Sequence, residues 1–185
     1  FTWASGWKSP IYCDNRKLIS YPRIRTFIKT ELSRLILENF QEADAIAGVA
    51  TGAIAPGVSV ADALGLPFVY IRATPKDHGL ENLIEGELKP GMKVVVVEDL
   101  ISTGGSSLKA VEAIRNNACD VIGMIASYTY GFPVAEKAFD DAKVKLVTLT
   151  DYEHVVAEAL ETGYIAQDDV EVLHQWRKDP ANWNK

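Results

Sequence analysis

Four consecutive valines, Val94 to Val97, run directly into the acids Glu98 and Asp99 and then into a turn of small residues, Ser102, Thr103, Gly104, Gly105, Ser106 and Ser107. An uninterrupted β-branched run is apolar on both faces of a strand. That suits a central parallel strand covered by helices on both sides, not an antiparallel strand with one wet face. The segment after the turn has helical spacing over 105–117, so the unit reads as strand, acidic pair, turn, helix.

The rest of the chain repeats that alternation. Ile24, Phe27, Ile28, Leu32, Leu35, Ile36 and Phe40 recur at helical spacing after Pro22, which predicts a helix over 22–40. Strands are expected at 45–50, 67–71, 94–97, 121–127 and 144–149. Helices are expected at 53–64, ended by Gly65, at 105–117, at 133–140, after a cap at Asp151 as far as Gly163, and over the last polar stretch. A short strand is expected near 11–13, and 72–91 reads as a long loop or hairpin. The fold class is therefore α/β, a mostly parallel twisted sheet with helices on both faces. With 185 residues the chain suits one domain, Phe1–Lys185. In such sheets ligands bind beyond the carboxyl ends of the strands. The turns at 50–53, 72–91, 98–106 and 128–133 should share that rim.

The turn at 102–107 has the chemistry of a monophosphate cradle. Small residues let backbone N–H groups approach an anion, the hydroxyls add donors, and the helix N-terminus adds a favourable dipole. Two carboxylates beside a phosphate would repel it unless the ligand also brings hydroxyls or a metal. Vicinal ribose hydroxyls and a diphosphate carrying Mg²⁺ meet that condition. Thr51, Gly52 and Ala53 form a second strand–small turn–helix connection suited to an anion such as a diphosphate. There is no GxxxxGK[ST] loop and no GxGxxG after the first strand. A phospho-accepting acid at a strand end would not account for the STGGSS that follows.

Charge and composition exclude other classes. The formal net charge is −6, so a general nucleic-acid partner, which needs a basic stripe, is not expected. No apolar run of eighteen residues and no signal-peptide pattern is visible, and Cys13 and Cys119 follow no metal-ligand spacing. The expectation is a cytoplasmic protein without a membrane partner. His154 and His174 lie in helical stretches and read as surface or packing residues. Trp3, Trp7, Trp176 and Trp183 sit at the two ends and read as packing.

The stretch VVVVEDLISTGGSS resembles the phosphoribosyl diphosphate (PRPP) motif of type I phosphoribosyltransferases. The resemblance implies that fold, with a small N-terminal hood (1–21) over the base and a mobile catalytic loop (72–91). It implies that Glu98 and Asp99 face the ribose hydroxyls. It gives PRPP contacts to Leu100 and Ile101 and wraps the 5-phosphate with Ser102, Thr103, Gly104, Gly105 and Ser106. FTWASGWKSPIYCDNR resembles the base-covering segment of orotate phosphoribosyltransferases, and IRATPKDHG resembles their mobile loop. TYGFP and the C-terminal LHQWRKDPANW are similar to one bacterial branch. By that resemblance Arg72, Lys76 and His78 bind PRPP, with Thr51 and Gly52 at the diphosphate. Lys76, His78 and Asp99 serve catalysis, and Lys8, Tyr12 and Ser102 meet orotate.

The residues of the loop agree with this. Three potential cations in a polar, Gly-hinged lid suit a departing diphosphate and would keep water from the reactive sugar. Two departures stand out. Ala73 occupies a position where many members have a second Lys. Tyr128, Thr129 and Tyr130 occupy the place of the Arg that meets the orotate carboxylate. The resemblance further implies Mg²⁺ held through PRPP and water without direct side-chain ligation, and a homodimer whose loops complete each other's sites. The chain opens on Phe1, and the family's leading helix is expected to be missing from it. Two alternatives stay open: a purine or xanthine phosphoribosyltransferase, and a non-enzymatic PRPP-binding regulator.

Overall fold

The computed structural model describes residues 1–3, 6–74 and 83–183. It divides into two compact units, one of Asn15–Asp151 and one of Phe1–Asp14 with Tyr152–Lys185.

The larger unit holds a six-stranded sheet. Its strands are β1 (Ala45–Val49), β2 (Phe68–Ile71), β3 (Ile84–Glu85), β4 (Lys93–Ile101), β5 (Asp120–Thr129) and β6 (Leu146–Asp151), in the spatial order β3-β2-β1-β4-β5-β6. Neighbours pair in parallel except β2 with β3, which pair antiparallel. The helices of this unit are α1 (Pro22–Asn39), α2 (Ile54–Leu64), α3 (Gly105–Asn116) and α4 (Pro133–Asp141), with a 3-10 helix over Asn15–Ser20. Val94 to Val97 are fully buried, as a strand covered on both sides requires.

Strand alternation assigns the covering helices. A Cβ on Gly123 of β5 would lie 2.1 Å from the ring of Phe40, at the end of α1. Glu98, in register with Ala126, accepts a hydrogen bond from Ser107 of α3. Gly123 and Ala126 point to opposite faces, so α1 and α3 cover opposite faces. The stripe of α1 is buried at Leu32 and Ile36, whereas Ile24 and Phe27 near its start are exposed.

Three boundaries depart from the sequence pattern, each for a local reason. No strand forms at 11–13, because the Ser9 hydroxyl accepts from the Ile11 N–H at 3.2 Å and donates to the Ile11 carbonyl at 2.7 Å. Those are the two groups a ladder would use. The last strand starts at Leu146 instead of Val144 and runs through Asp151, directly before the helix that begins at Tyr152. Lys143 adopts φ +54°, and Val144 N–H bonds Phe139 O at 3.0 Å, so Val144 closes α4 in a Schellman turn. Strands β4 and β5 continue past their apolar runs, pairing Leu100 with Tyr128 and Ile101 with Thr129. Acids are depleted in strands, so the sequence pattern stops at Glu98, but backbone pairing does not depend on that side chain.

The smaller unit contains α5 (Tyr152–Glu161) and α6 (Gln167–Lys178). Trp176 is fully buried there, edge-on to Trp3 at 5.7 Å, and its indole N–H donates to Lys8 O at 3.1 Å. The packing role read for Trp3 and Trp176 is what the structure shows. His154 and His174 are exposed on α5 and α6.

Candidate active site

The carboxyl ends of β1 and β4 are adjacent in the sheet, so the turns that follow them meet. At the end of β4 the adjacent acids point to opposite faces, as strand geometry demands. Asp99 is half-buried at the rim, and its carbonyl accepts from Asn15 Nδ2 at 2.8 Å. The turn after β1 is packed against its carboxylate. A Cβ on Gly52 would stand 2.2 Å from Asp99 Oδ2, so only glycine fits there. The Ala50–Thr51 peptide is cis. Thr51, Gly52 and Asp99 are thus brought together.

Glu98 is placed differently from the expectation that both acids face the ribose. It is 4% exposed, with Oε2 accepting from Ser107 Oγ at 2.8 Å and Oε1 from Asp99 N–H at 3.0 Å. Burial pushes the Glu98 carboxyl well above the ordinary carboxylate range, and the neighbouring Asp99 adds to the shift. The Ser107 hydroxyl and the Asp99 N–H oppose it by bonding the charged form.

Residues 102–106 make the turn into α3. Gly104 takes φ +81° as the N-cap of α3, and a Cβ on it would lie 2.9 Å from Phe139 Cε2. Gly105 and Ser106 begin the helix on the exposed side, with first-turn N–H groups that helix geometry leaves without intrahelical acceptors. Ser102 and Thr103 are half-buried in the turn. Ile101, expected at the ligand, is instead fully buried, and its carbonyl accepts Tyr130 N–H at 2.9 Å. Its side chain serves the core; that of Leu100 is half-buried.

Arg72 follows β2, and its Nη1 lies 3.6 Å from Glu85 Oε1 on β3, an ion pair beyond hydrogen-bond length. Lys76 and His78 fall in 75–82, outside the described residues. Lys8 and Tyr12 belong to the smaller unit, both exposed, with the Tyr12 ring 5.5 Å from Phe1. Tyr128 and Tyr130 are buried, edge to face at 5.0 Å, and Tyr130 stacks on Phe132 at 5.6 Å.

Three features escape a reading of the sequence. Ser107 is the buried partner of Glu98. The usable clue is that it heads the apolar stripe Ala110, Val111 and Ile114, where a polar residue needs a partner. Asn15 braces the Asp99 backbone without any motif to mark it. A cleft of about 460 Å³, open to solvent, lies beside Gly52 and Asp99 and is lined by Asn15, Arg25, Lys29 and Ser59 among others. Its walls are mostly apolar, from Leu18, Ile19, Ile28, Ala55 and Pro56, and the Arg25 guanidinium donates to Ile19 O at 2.9 Å. Among the described residues no cluster of three or more His, Cys, Asp or Glu could hold a metal ion, and no helix is long and apolar enough to cross a membrane.

Comparison with known proteins agrees with this geometry. The model of the phosphoribosyl transferase domain matches residues 23–162. A protein of Bacteroides fragilis named orotate phosphoribosyltransferase is 74% identical over 183 residues, which is 99% of this chain and 86% of that protein. The crystal structure of orotate phosphoribosyltransferase from Aeropyrum pernix superposes with TM-score 0.76 at 27% identity, covering 90% of this chain and 91% of that one. The structure of Leishmania donovani UMP synthase is similar in fold, with TM-score 0.84 at 24% identity over 96% of this chain and 38% of that chain.

Proposed function

The chain belongs to the phosphoribosyl transferase domain family, and from that premise we propose that it transfers the ribose 5-phosphate group of PRPP to N1 of orotate. The products are orotidine 5-monophosphate and diphosphate, and the reaction is a step of pyrimidine synthesis. The observation that carries the reading is the meeting of two turns at one rim. The cradle at 102–106 suits the 5-phosphate, Asp99 offers a carboxylate for ribose hydroxyls, and Thr51–Gly52 closes on that carboxylate from the next strand. The choice of orotate over other bases rests on the 74% identical relative.

In the reaction the N1 electron pair of orotate forms the bond to ribose C1 while the C1–O bond to diphosphate breaks. The leaving oxygen takes the electron pair. The transition state is loose, with positive charge at C1, and no covalent enzyme intermediate is needed. Holding the sugar by its phosphate and hydroxyls leaves C1 free to move between the two partners. The mobile-loop assignment of Arg72, Lys76 and His78 supports a polyanionic ligand.

Mg²⁺ fits this donor set as a hydrated ion carried by the diphosphate. A single half-buried carboxylate at the rim, with no metal cluster among the described residues, suits a cation that keeps its waters and takes its other oxygens from substrate phosphates. When bound it neutralises the leaving diphosphate. Lys8, Tyr12 and Ser102 as orotate contacts, a homodimer with shared loops, and a cytoplasmic location are carried by the family resemblance.

Absorbance-monitored loss of orotate in the presence of PRPP and Mg²⁺, with adenine as control, tests the reading. Turnover of orotate alone is expected. Turnover of adenine but not orotate would overturn the choice of base, and PRPP binding without diphosphate release on any base would make the protein a regulator. Lys76→Ala should lower kcat by about a hundredfold while PRPP affinity falls less, because its charge acts on the departing diphosphate. Unchanged kcat would remove Lys76 from the reaction.

A further inference from the structure

The buried bond between Glu98 and Ser107 lies beneath the phosphate cradle and is not explained by ligand contact. Glu98 is 4% exposed and Ser107 1%, so the bond between them is buried. Glu98 Oε1 takes the Asp99 N–H and Oε2 takes the Ser107 hydroxyl. The carboxylate therefore grips the segment at both ends: Asp99, where the strand reaches the rim, and Ser107, where the helix enters the core. Everything expected to wrap the phosphate lies between those two residues.

The cradle has little else to hold it. Gly104 and Gly105 carry no side chain, Ser106 is exposed, and a Cβ on Gly105 would meet nothing within 4 Å. A Gly-Gly-Ser helix start has large backbone freedom, and each residue ordered costs about 1–2 kcal/mol of conformational entropy. Two features limit that freedom. One is the close approach of Gly104 to Phe139, and the other is the buried hydroxyl at the third helical position. A hydrogen bond to a buried carboxylate is costly to leave unmade, so it holds the first turn of α3 at a fixed height above β4.

We propose that Ser107 is a positioning residue for the 5-phosphate: its hydroxyl, anchored on Glu98, fixes the N-terminal turn of α3 so that the N–H groups and hydroxyls of 102–106 converge on one anion. Ser107 does not touch the substrate. It acts through the cradle, and the role rests on the reading of 102–106 as the phosphate site. The 5-phosphate takes no part in bond making, so the cradle holds it equally in the ground state and the transition state. Loosening the cradle should then raise KM for PRPP and leave kcat nearly unchanged.

The test compares Ser107→Ala, Ser107→Cys and Ser107→Thr with the wild type. Steady-state kinetics with PRPP and orotate, calorimetric binding of PRPP with Mg²⁺, and thermal melting are measured on each. Ser107→Ala should raise KM and Kd for PRPP by about tenfold, the loss of one hydrogen bond to a carboxylate, with kcat within about twofold. Ser107→Thr, which keeps the hydroxyl, should restore most of that affinity. Ser107→Cys matches the volume with a weak donor and should fall between, which keeps the test open if the alanine variant does not fold. Unchanged PRPP affinity in the alanine or cysteine variant overturns the proposal. So does a loss that follows melting temperature alone, equal in the threonine and alanine variants. A wild type that binds PRPP but does not convert orotate refutes the proposed reaction instead, and the Ser107 series is then still decided by PRPP binding.

Discussion

The two strand-to-helix turns at the rim reach the same end by opposite means. The turn after β4 is built from polar side chains. It has two acids, three nearby hydroxyls and a buried bond from Glu98 to Ser107 underneath. The turn after β1 is built from missing side chains. Gly52 in the turn stands where a Cβ would meet Asp99 at 2.2 Å, while Gly48 of β1 and Gly57 of α2 let the flanking strand and helix close in, where a Cβ would meet Ala53 O at 2.6 Å and Phe68 at 2.8 Å. One turn brings its own ligand groups and needs an anchor to hold them. The other brings bare backbone close to its neighbour's acid and needs only space. A polar turn is therefore sensitive to loss of hydrogen bonds, and a glycine turn to gain of atoms.

Gly52→Ala tests the second half of that contrast and should have the largest effect. The added methyl must displace the Asp99 carboxylate, and a displacement of about 1 Å at a reacting centre costs about a hundredfold in kcat/KM. A variant with full activity would show that the two turns do not act together. Asp99→Asn tests the first half without changing volume. Replacing an acceptor on the ribose hydroxyls with a mixed donor–acceptor should lower kcat/KM for PRPP by roughly tenfold or more. Unaltered kinetics would detach Asp99 from the sugar.

Gly104→Ala shifts the contrast to stability, because this glycine lies in the polar turn yet is constrained like those of the other. At φ +81° and 2.9 Å from Phe139, the added Cβ should destabilise the fold by about 1–2 kcal/mol, read as a lower denaturation midpoint. The smallest effect concerns Glu98. Its carboxyl binds a proton more tightly folded than unfolded, so its contribution to stability is full at acid pH and is lost as pH rises through the raised folded value. Glu98→Gln removes that ionisation. The stability of the variant relative to wild type should therefore increase from acid pH toward neutrality, followed by denaturant titration at several pH values. A pH-independent difference would mean that Glu98 titrates in the ordinary carboxylate range.

Much of the architecture was legible because it is local. Val94 to Val97 reported a strand buried on both faces, and Gly65 ended α2 with φ +68° as a C-terminal glycine does. The run EDLISTGGSS marked a turn between a strand and a helix, and that turn is where the structure places it, between β4 and α3. Legibility failed where one residue's chemistry overrode its neighbours' pattern, as Ser9 did at Ile11 and Lys143 did at Val144. The motif also did not show that the Ile101 side chain fills the core.

By itself the sequence determined the alternation of strands and helices, the position of the glycine turn after β4 and the family, because these depend on spacing within short windows. Only the tertiary structure decided how Glu98 and Asp99 divide. A strand sends adjacent side chains to opposite faces, but the outcome for each depends on what covers that face. Beneath Glu98 lies α3 with Ser107, which buries it. Beside Asp99 lies a glycine turn from a strand fifty residues earlier in the chain, which leaves it at the rim. Both neighbours arrive through sheet pairing and helix packing, and no window of sequence around the acids contains both.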